Sequence, residues 1–171
     1  RKADIEKATG LKFEDIRDGK VVLSPAQYDA LLQYAAAESV KAARKHLPSF
    51  DSLHPLQQVA VADMFHWGIL PRQFPKAMEA LRQGDFVMAS LELKDSKAYR
   101  ESTGQRRRLQ TIASALDRNV VDGQLVYTPW AQRAKSQEQL AKWWAKQRAV
   151  EARIDEALIQ RAWAKPLKAL Q

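Results

Sequence analysis

Ser52-Leu53-His54-Pro55-Leu56-Gln57-Gln58-Val59-Ala60-Val61-Ala62-Asp63-Met64-Phe65-His66-Trp67-Gly68 is the stretch that decides the class of fold. After a break at Ser52 to Pro55, apolar side chains recur at three- and four-residue spacing: Leu56, Val59, Ala60, Ala62 or Asp63, Met64 and Trp67. That is the period of a helix. Apolar residues fall on most of its faces, which predicts a central, buried helix closed by Gly68 as C-cap.

The flanking sequence repeats the pattern. Asp4 to Ala8 reads as one or two helical turns ended by Gly10, and 12–20 as a polar stretch closing in an Asp18-Gly19 turn. Ser24-Pro25 combines an N-cap with Pro at the first helical position. The helix behind it carries Tyr28, Leu31, Leu32, Ala35, Ala36 and Val40 and stops at Leu47-Pro48. Phe74-Pro75 opens a short helix through Met78 and Leu81 to Gly84. Asp85 caps another with Phe86, Met88, Ala89 and Leu93. Residues 94–103 read as a polar loop. Residues 105–116 return to helix, with Leu109, Ile112, Ala113 and Leu116 inward and the arginines outward.

Beyond Asp117 the texture changes. The run 120–127 contains Asp122-Gly123, a dipeptide suited to the positive φ angles of a tight hairpin turn. So small a hairpin is expected to pack on helices. Thr128-Pro129 leads to a long helix over about 136–164, with an expected inner stripe of Leu140, Trp144, Val150, Ile154, Leu158 and Ala162 beside Trp143 and Trp163. The expected fold is therefore mainly α: a helical unit over 1–117, then a hairpin and a basic, Trp-rich helical extension over 118–171.

Composition agrees and removes whole classes of function. Of 171 residues, 46% are hydrophobic and 28% charged, enough apolar side chain for a packed core. No apolar run approaches the ~20 residues that span a bilayer. There is no Cys, so disulfides, thiolate metal sites and cysteine nucleophiles are excluded. The net charge of +8 draws the chain toward polyanions without choosing among nucleic acid, anionic lipid and cell wall. The chain opens Arg1-Lys2-Ala3 without an initiator Met or a signal-peptide core, and is expected to be a piece of a longer protein.

No P-loop, dinucleotide glycine fingerprint, paired-histidine zinc motif or serine elbow occurs. His46, His54 and His66 lack ligand spacing, so neither a metal nor a cofactor is expected. Glu14-Asp15, Asp51, Asp63 and Asp155-Glu156 sit mostly among lysines, arginines and turns. They read as solvated acids or helix caps rather than as a general acid, which needs surroundings that lift its pKa. His66, between Phe65 and Trp67, is either a core histidine with backbone partners or a binding residue. Arg106-Arg107-Arg108 point in three directions and do not converge on one anion, so a solvated face is expected.

The order of these elements resembles the phage-type lysozymes. Asp4-Ile5-Glu6-Lys7-Ala8 and Val22-Leu23-Ser24-Pro25-Ala26-Gln27-Tyr28-Asp29-Ala30-Leu31-Leu32 are similar to that family's interlobe helix and the start of its second lobe. Asp51-Ser52-Leu53 with Phe65-His66-Trp67-Gly68 resembles its central helix, with His66 where the family has an amide. Leu81-Arg82-Gln83-Gly84-Asp85-Phe86, Tyr99 and Thr103-Gly104-Gln105-Arg106-Arg107-Arg108 resemble its later short helices. The resemblance covers 4–116 and does not reach 120–171.

The resemblance implies a muramidase hydrolysing the glycan of peptidoglycan at the bacterial wall or periplasm, as a phage endolysin, a tail lysozyme or a secreted antibacterial effector. This chain would supply the helical substrate-binding lobe, with His66, Trp67, Tyr99 and Arg106 as glycan contacts. The family's catalytic Glu, Asp and Thr belong to the lobe before the interlobe helix and have no counterpart here, so no catalytic residue is assigned. The implied partners are glycan strands and an N-terminal catalytic lobe, or a carrier or immunity protein. The alternative is an inactive interaction module docking through Trp143, Trp144 or Trp163. Nucleic acid ranks last, for want of any recognition motif.

Overall fold

The computed structural model describes residues 2–66 and 70–168, without the side chains of Leu70, Pro71, Thr103 and 159–168. Trp67 and Gly68, with the expected C-cap, lie outside the described residues, as do the side chains of Ala162 and Trp163. Within them the chain is mainly helical, with one two-stranded hairpin and a long C-terminal helix.

Local signals place most elements. Helix α1 (Lys2–Thr9) ends at Gly10, whose φ is +70°. Helix α3 (Pro25–His46) starts with a full capping box: the Ser24 hydroxyl accepts from the Gln27 backbone N–H, and the Gln27 side chain accepts from Ser24 N–H. A 3-10 turn (Phe50–Ser52) leads into α4 (Pro55–His66). Then come α5 (Leu70–Gln73), α6 (Pro75–Arg82) and α7 (Phe86–Lys94), the last capped by the Asp85 carboxylate on Met88 N–H. Helix α9 is Thr103–Leu116, the hairpin strands are β1 (Asn119–Val121) and β2 (Gln124–Val126), and α11 is Gln137–Lys168.

Four short helices stand where no helix was expected: α2 (Phe13–Arg17), α5, α8 (Lys97–Glu101) and α10 (Trp130–Arg133). The supposed loop over 94–103 thus holds α8. Ser96 caps it by accepting from Tyr99 N–H, and Ser102 both ends it and caps α9.

The core is built by α4, α6, α7, α8 and α9, with α3 against α4. Leu47, Leu81, Leu91, Leu93 and Leu116 are wholly enclosed, each contributing roughly 1.5–3 kcal/mol of apolar burial. Helix α4 departs from expectation on one side. Gln57, Ala60, Val61, Met64 and Phe65 are buried, but Leu56 and Val59 are 56% and 65% exposed. The inner face of this helix is therefore not the one its Leu56–Val59 stripe announced.

The hairpin forms with the expected turn, Asp122 at φ +49° and Gly123 at +74°, and pairs Val120 with Leu125. It is not packed firmly on helices: Val120, Val121 and Tyr127 are exposed, and Leu125 alone leans toward the groove beside α4. Helix α11, by contrast, joins the main core against α7 and α8. Its anchor is Trp143, not Trp144. Trp143 is 3% exposed, donates its Nε1–H to the Asp85 carboxylate at 3.0 Å and meets Trp130 edge-on, whereas Trp144 is 51% exposed. Leu158 of the expected inner stripe is also exposed, while Val150 is buried.

A charged clamp completes that joint. The Asp95 carboxylate accepts from Lys146 at 2.7 Å, from Arg100 at 3.1 Å and from Arg153, and Lys146 also reaches Glu92 at 2.8 Å. Burial alone would raise the Asp95 carboxyl, but the hydrogen bonds from Arg153 and Lys146 outweigh it and hold the group below the usual carboxylate range. Lys146 is the mirror case. Burial works to lower it, and its bonds to Asp95 and Glu92 keep it above the ordinary lysine value.

Candidate functional site: two grooves beside helix α4

Because Leu56 and Val59 face outward, α4 forms a ridge with a groove on either side. The first, between α3 and α4, encloses about 550 Å³. Its walls are largely apolar, with Leu32, Ala36 and Val40 from α3 and Val59 and Ala62 from α4, and its polar groups are Ser39, Arg44, Gln58, Asp63 and His66. Concave, mostly apolar surfaces with a few placed polar groups are the usual setting of ligand sites.

His66 is exposed at the end of α4, so the core reading of this histidine does not hold. Its Nδ1 lies 3.4 Å from Ser39 Oγ. The Ser39 hydroxyl already donates to the Ala35 carbonyl at 2.7 Å, and a hydroxyl has one proton to give. The hydroxyl can therefore meet the ring only as an acceptor from Nδ1–H, and the His66 ring lines the groove beside it. Sequence spacing gave no hint of Ser39, because it lies 27 residues from His66 and in the middle of another helix.

Asp63 is the carboxylate of this groove, and it is held by the Arg108 guanidinium through both oxygens, one at 2.6 Å. A lone acid on an otherwise apolar helix is the sequence signal that a cation must meet it. The partner comes from α9, 45 residues on. Elsewhere, Asp51 pairs with Arg44 at 2.9 Å and Glu14 with Lys2. The bond from Lys2 holds the Glu14 carboxyl below its ordinary range. Each of these three acids thus faces a cation.

The other expected contacts lie apart from His66. Tyr99 is buried at 9% exposure, and neither it nor Arg106 lines the α3–α4 groove. Arg106 is not a solvated side chain. Its Nε donates to the Tyr99 carbonyl at 2.8 Å and another guanidinium nitrogen to the Arg100 carbonyl at 2.7 Å, with the guanidinium 5.7 Å from the Tyr99 ring centre. Both residues bind α8 to α9. Of the three consecutive arginines, the expected solvated face holds for Arg107 alone.

The second groove, of similar volume, runs between α4, α9 and the hairpin. Leu56, Ile112, Ala115 and Leu125 contribute its floor, and Arg107 and Arg118 stand at its ends. Among the described residues no group of three or more His, Asp or Glu side chains is placed to hold a metal, and no helix is long and apolar enough to cross a membrane. Comparison of the chain with protein-family models, with curated proteins and with solved structures returned no match.

Proposed function

We propose that this chain is the helical, glycan-facing lobe of a phage-lysozyme-type muramidase, and that a saccharide lies in the α3–α4 groove. The single observation that carries the reading is the groove itself, where an exposed His66 stands beside apolar walls suited to the faces of sugar rings. The residue resemblance over 4–116 supports it independently. Glycoside hydrolysis requires a pair of carboxyl groups across the bond. The groove's own carboxylate, Asp63, is neutralised by Arg108, so the reading assigns the acid pair to a lobe facing this one. The surplus of positive charge favours an anionic wall.

The test is co-sedimentation of the chain with purified peptidoglycan alongside a turbidity assay. The expected result is binding without turnover, with His66→Ala weakening binding several-fold at an unchanged melting temperature. Absence of binding, or a His66→Ala variant that binds as the parent does, overturns the reading.

A second reading has one observation in its favour. Trp144 is half exposed and lies against Trp130, ring centres 5.0 Å apart, which offers a rigid aromatic surface to a protein partner. It rests on Trp144 alone, because Trp143 is committed to the core. Trp144→Ala abolishing a measured protein contact, with glycan binding absent, would favour it.

A further inference from the structure

We infer that the groove between α4, α9 and the hairpin is a docking site for an acidic amphipathic helix of a partner protein. It lies on the opposite flank of α4 from His66 and shares with the α3–α4 groove only Val59 and Asp63.

Its floor includes apolar side chains that are exposed, where Ala60, Val61, Met64 and Phe65 of the same helix are buried. Leu56 and Val59 leave 56% and 65% of their surface in solvent, and Leu125 reaches toward them from the hairpin. The charges are equally uneven. Arg106 and Arg108 are spent on carbonyls and on Asp63, but Arg107 and Arg118 have no carboxylate partner among the described residues. With Asp63 neutralised, the groove carries two unopposed cations and nothing to balance them. They stand eleven residues apart along α9 and its end, about 16 Å at helical rise.

An occupant must therefore offer apolar surface in its middle and negative charge at both ends. A helix with carboxylates about three turns apart and leucine-like residues between does so, and guanidinium–carboxylate pairing would fix its register. Gln110, Thr111 and Ser114 lie between the arginines for its polar edge. A nucleic-acid strand fits poorly. Its phosphates would lie over Leu56 and Leu125, and no aromatic side chain lines the groove for a base to stack on.

The probe is a synthetic amphipathic helical peptide with two glutamates eleven residues apart flanking leucines, titrated into the full chain and read by fluorescence anisotropy. The expected result is binding that weakens with salt. It should fall about tenfold or more in the doubly reversed Arg107→Glu, Arg118→Glu chain and return when that chain meets a peptide with lysines for glutamates. Leu56→Asp should weaken both pairings. All three positions are exposed, so melting temperatures should match the parent and peptidoglycan binding should persist. Failure of the acidic peptide to bind, or affinity indifferent to charge reversal, overturns the inference. So does a single-stranded oligonucleotide that binds more tightly than the peptide and depends on the same arginines.

Discussion

The two ends of this chain are attached to the molecule by different physics. Helix α11 is fastened by a buried indole, by Val150 and by the Asp95 clamp. The amino-terminal arm is held mostly by polar contacts. Thr9 is the buried residue of α1, α2 has none, and the first half of α3 leaves Tyr28 and Leu32 about half exposed. What ties the arm together is Gln27 donating to the Thr9 carbonyl at 2.9 Å, Glu6 accepting from Phe13 N–H at 3.0 Å and the Lys2–Glu14 pair. Hydrogen bonds like the first two contribute about 1 kcal/mol each, against several for an enclosed aromatic. A segment need not differ in helix content to differ greatly in how readily it opens.

The comparison breaks most sharply at Trp143. Trp143→Ala should cost about 3–5 kcal/mol, since it empties a core position and takes one hydrogen bond from the Asp85 carboxylate. Its neighbour Trp144→Ala should cost no more than about 1 kcal/mol. Chemical denaturation of the two variants decides the matter, and equal losses would mean that α11 is not seated by Trp143.

Next in size is the clamp. Asp95→Asn removes the charge that Lys146, Arg153 and Arg100 share and should cost about 1–3 kcal/mol, toward the low end because Arg153 is half exposed. The sign of its pH dependence follows from the two groups. Asp95, held low, contributes fully above the unfolded carboxylate value of about 4, and the contribution is lost as pH falls through the lower folded value. Lys146, held high, contributes fully below about 10.4, and the contribution is lost as pH rises through the higher folded value. Stability measured against pH should therefore fall on both flanks, and Asp95→Asn should flatten the acid flank and weaken the alkaline one, where Glu92 still holds Lys146.

These joints also mark where the sequence stops being readable. Ser24-Pro25, Leu47-Pro48, Phe74-Pro75 and Gly84-Asp85 act on their own backbone, so helix ends could be read one segment at a time. The hairpin turn is equally local. Facing is not: nothing within α11 says that Trp143 turns inward and Trp144 outward, because Asp85, 58 residues away, decides it. The same holds for the site. His66 stood out as an oddity of composition, but its partner Ser39, and the Arg108 that silences Asp63, come from helices that only the fold brings near. The helix α8 was missed for a different reason. Its caps, Ser96 and Ser102, were present in a polar run whose apolar content was too thin to show a period.

In the arm, Gln27→Ala should cost about 1 kcal/mol, as it removes one half of the capping box and the tie to Thr9. Hydrogen exchange in α1 and the first turns of α3 should quicken while α7 and α9 keep their protection. Quickening of exchange across the whole chain in step would erase the distinction between the two ends.

The smallest effect is expected at Gly123, and it sharpens the comparison because the hairpin lies next to the core without belonging to it. The residue sits at φ +74°, and a Cβ there would meet no atom within 4 Å, so Gly123→Ala costs backbone strain alone, about 1 kcal/mol. Val120 and Val121 are exposed, which means that opening the strands uncovers little apolar surface. Strain in such an element is relieved by local opening and need not reach the global transition. Faster exchange at the Val120–Leu125 pair with an almost unchanged melting temperature is the expected outcome. A global loss of several kcal/mol would show that Leu125, the one hairpin side chain leaning toward α4, fastens the strands to the core after all.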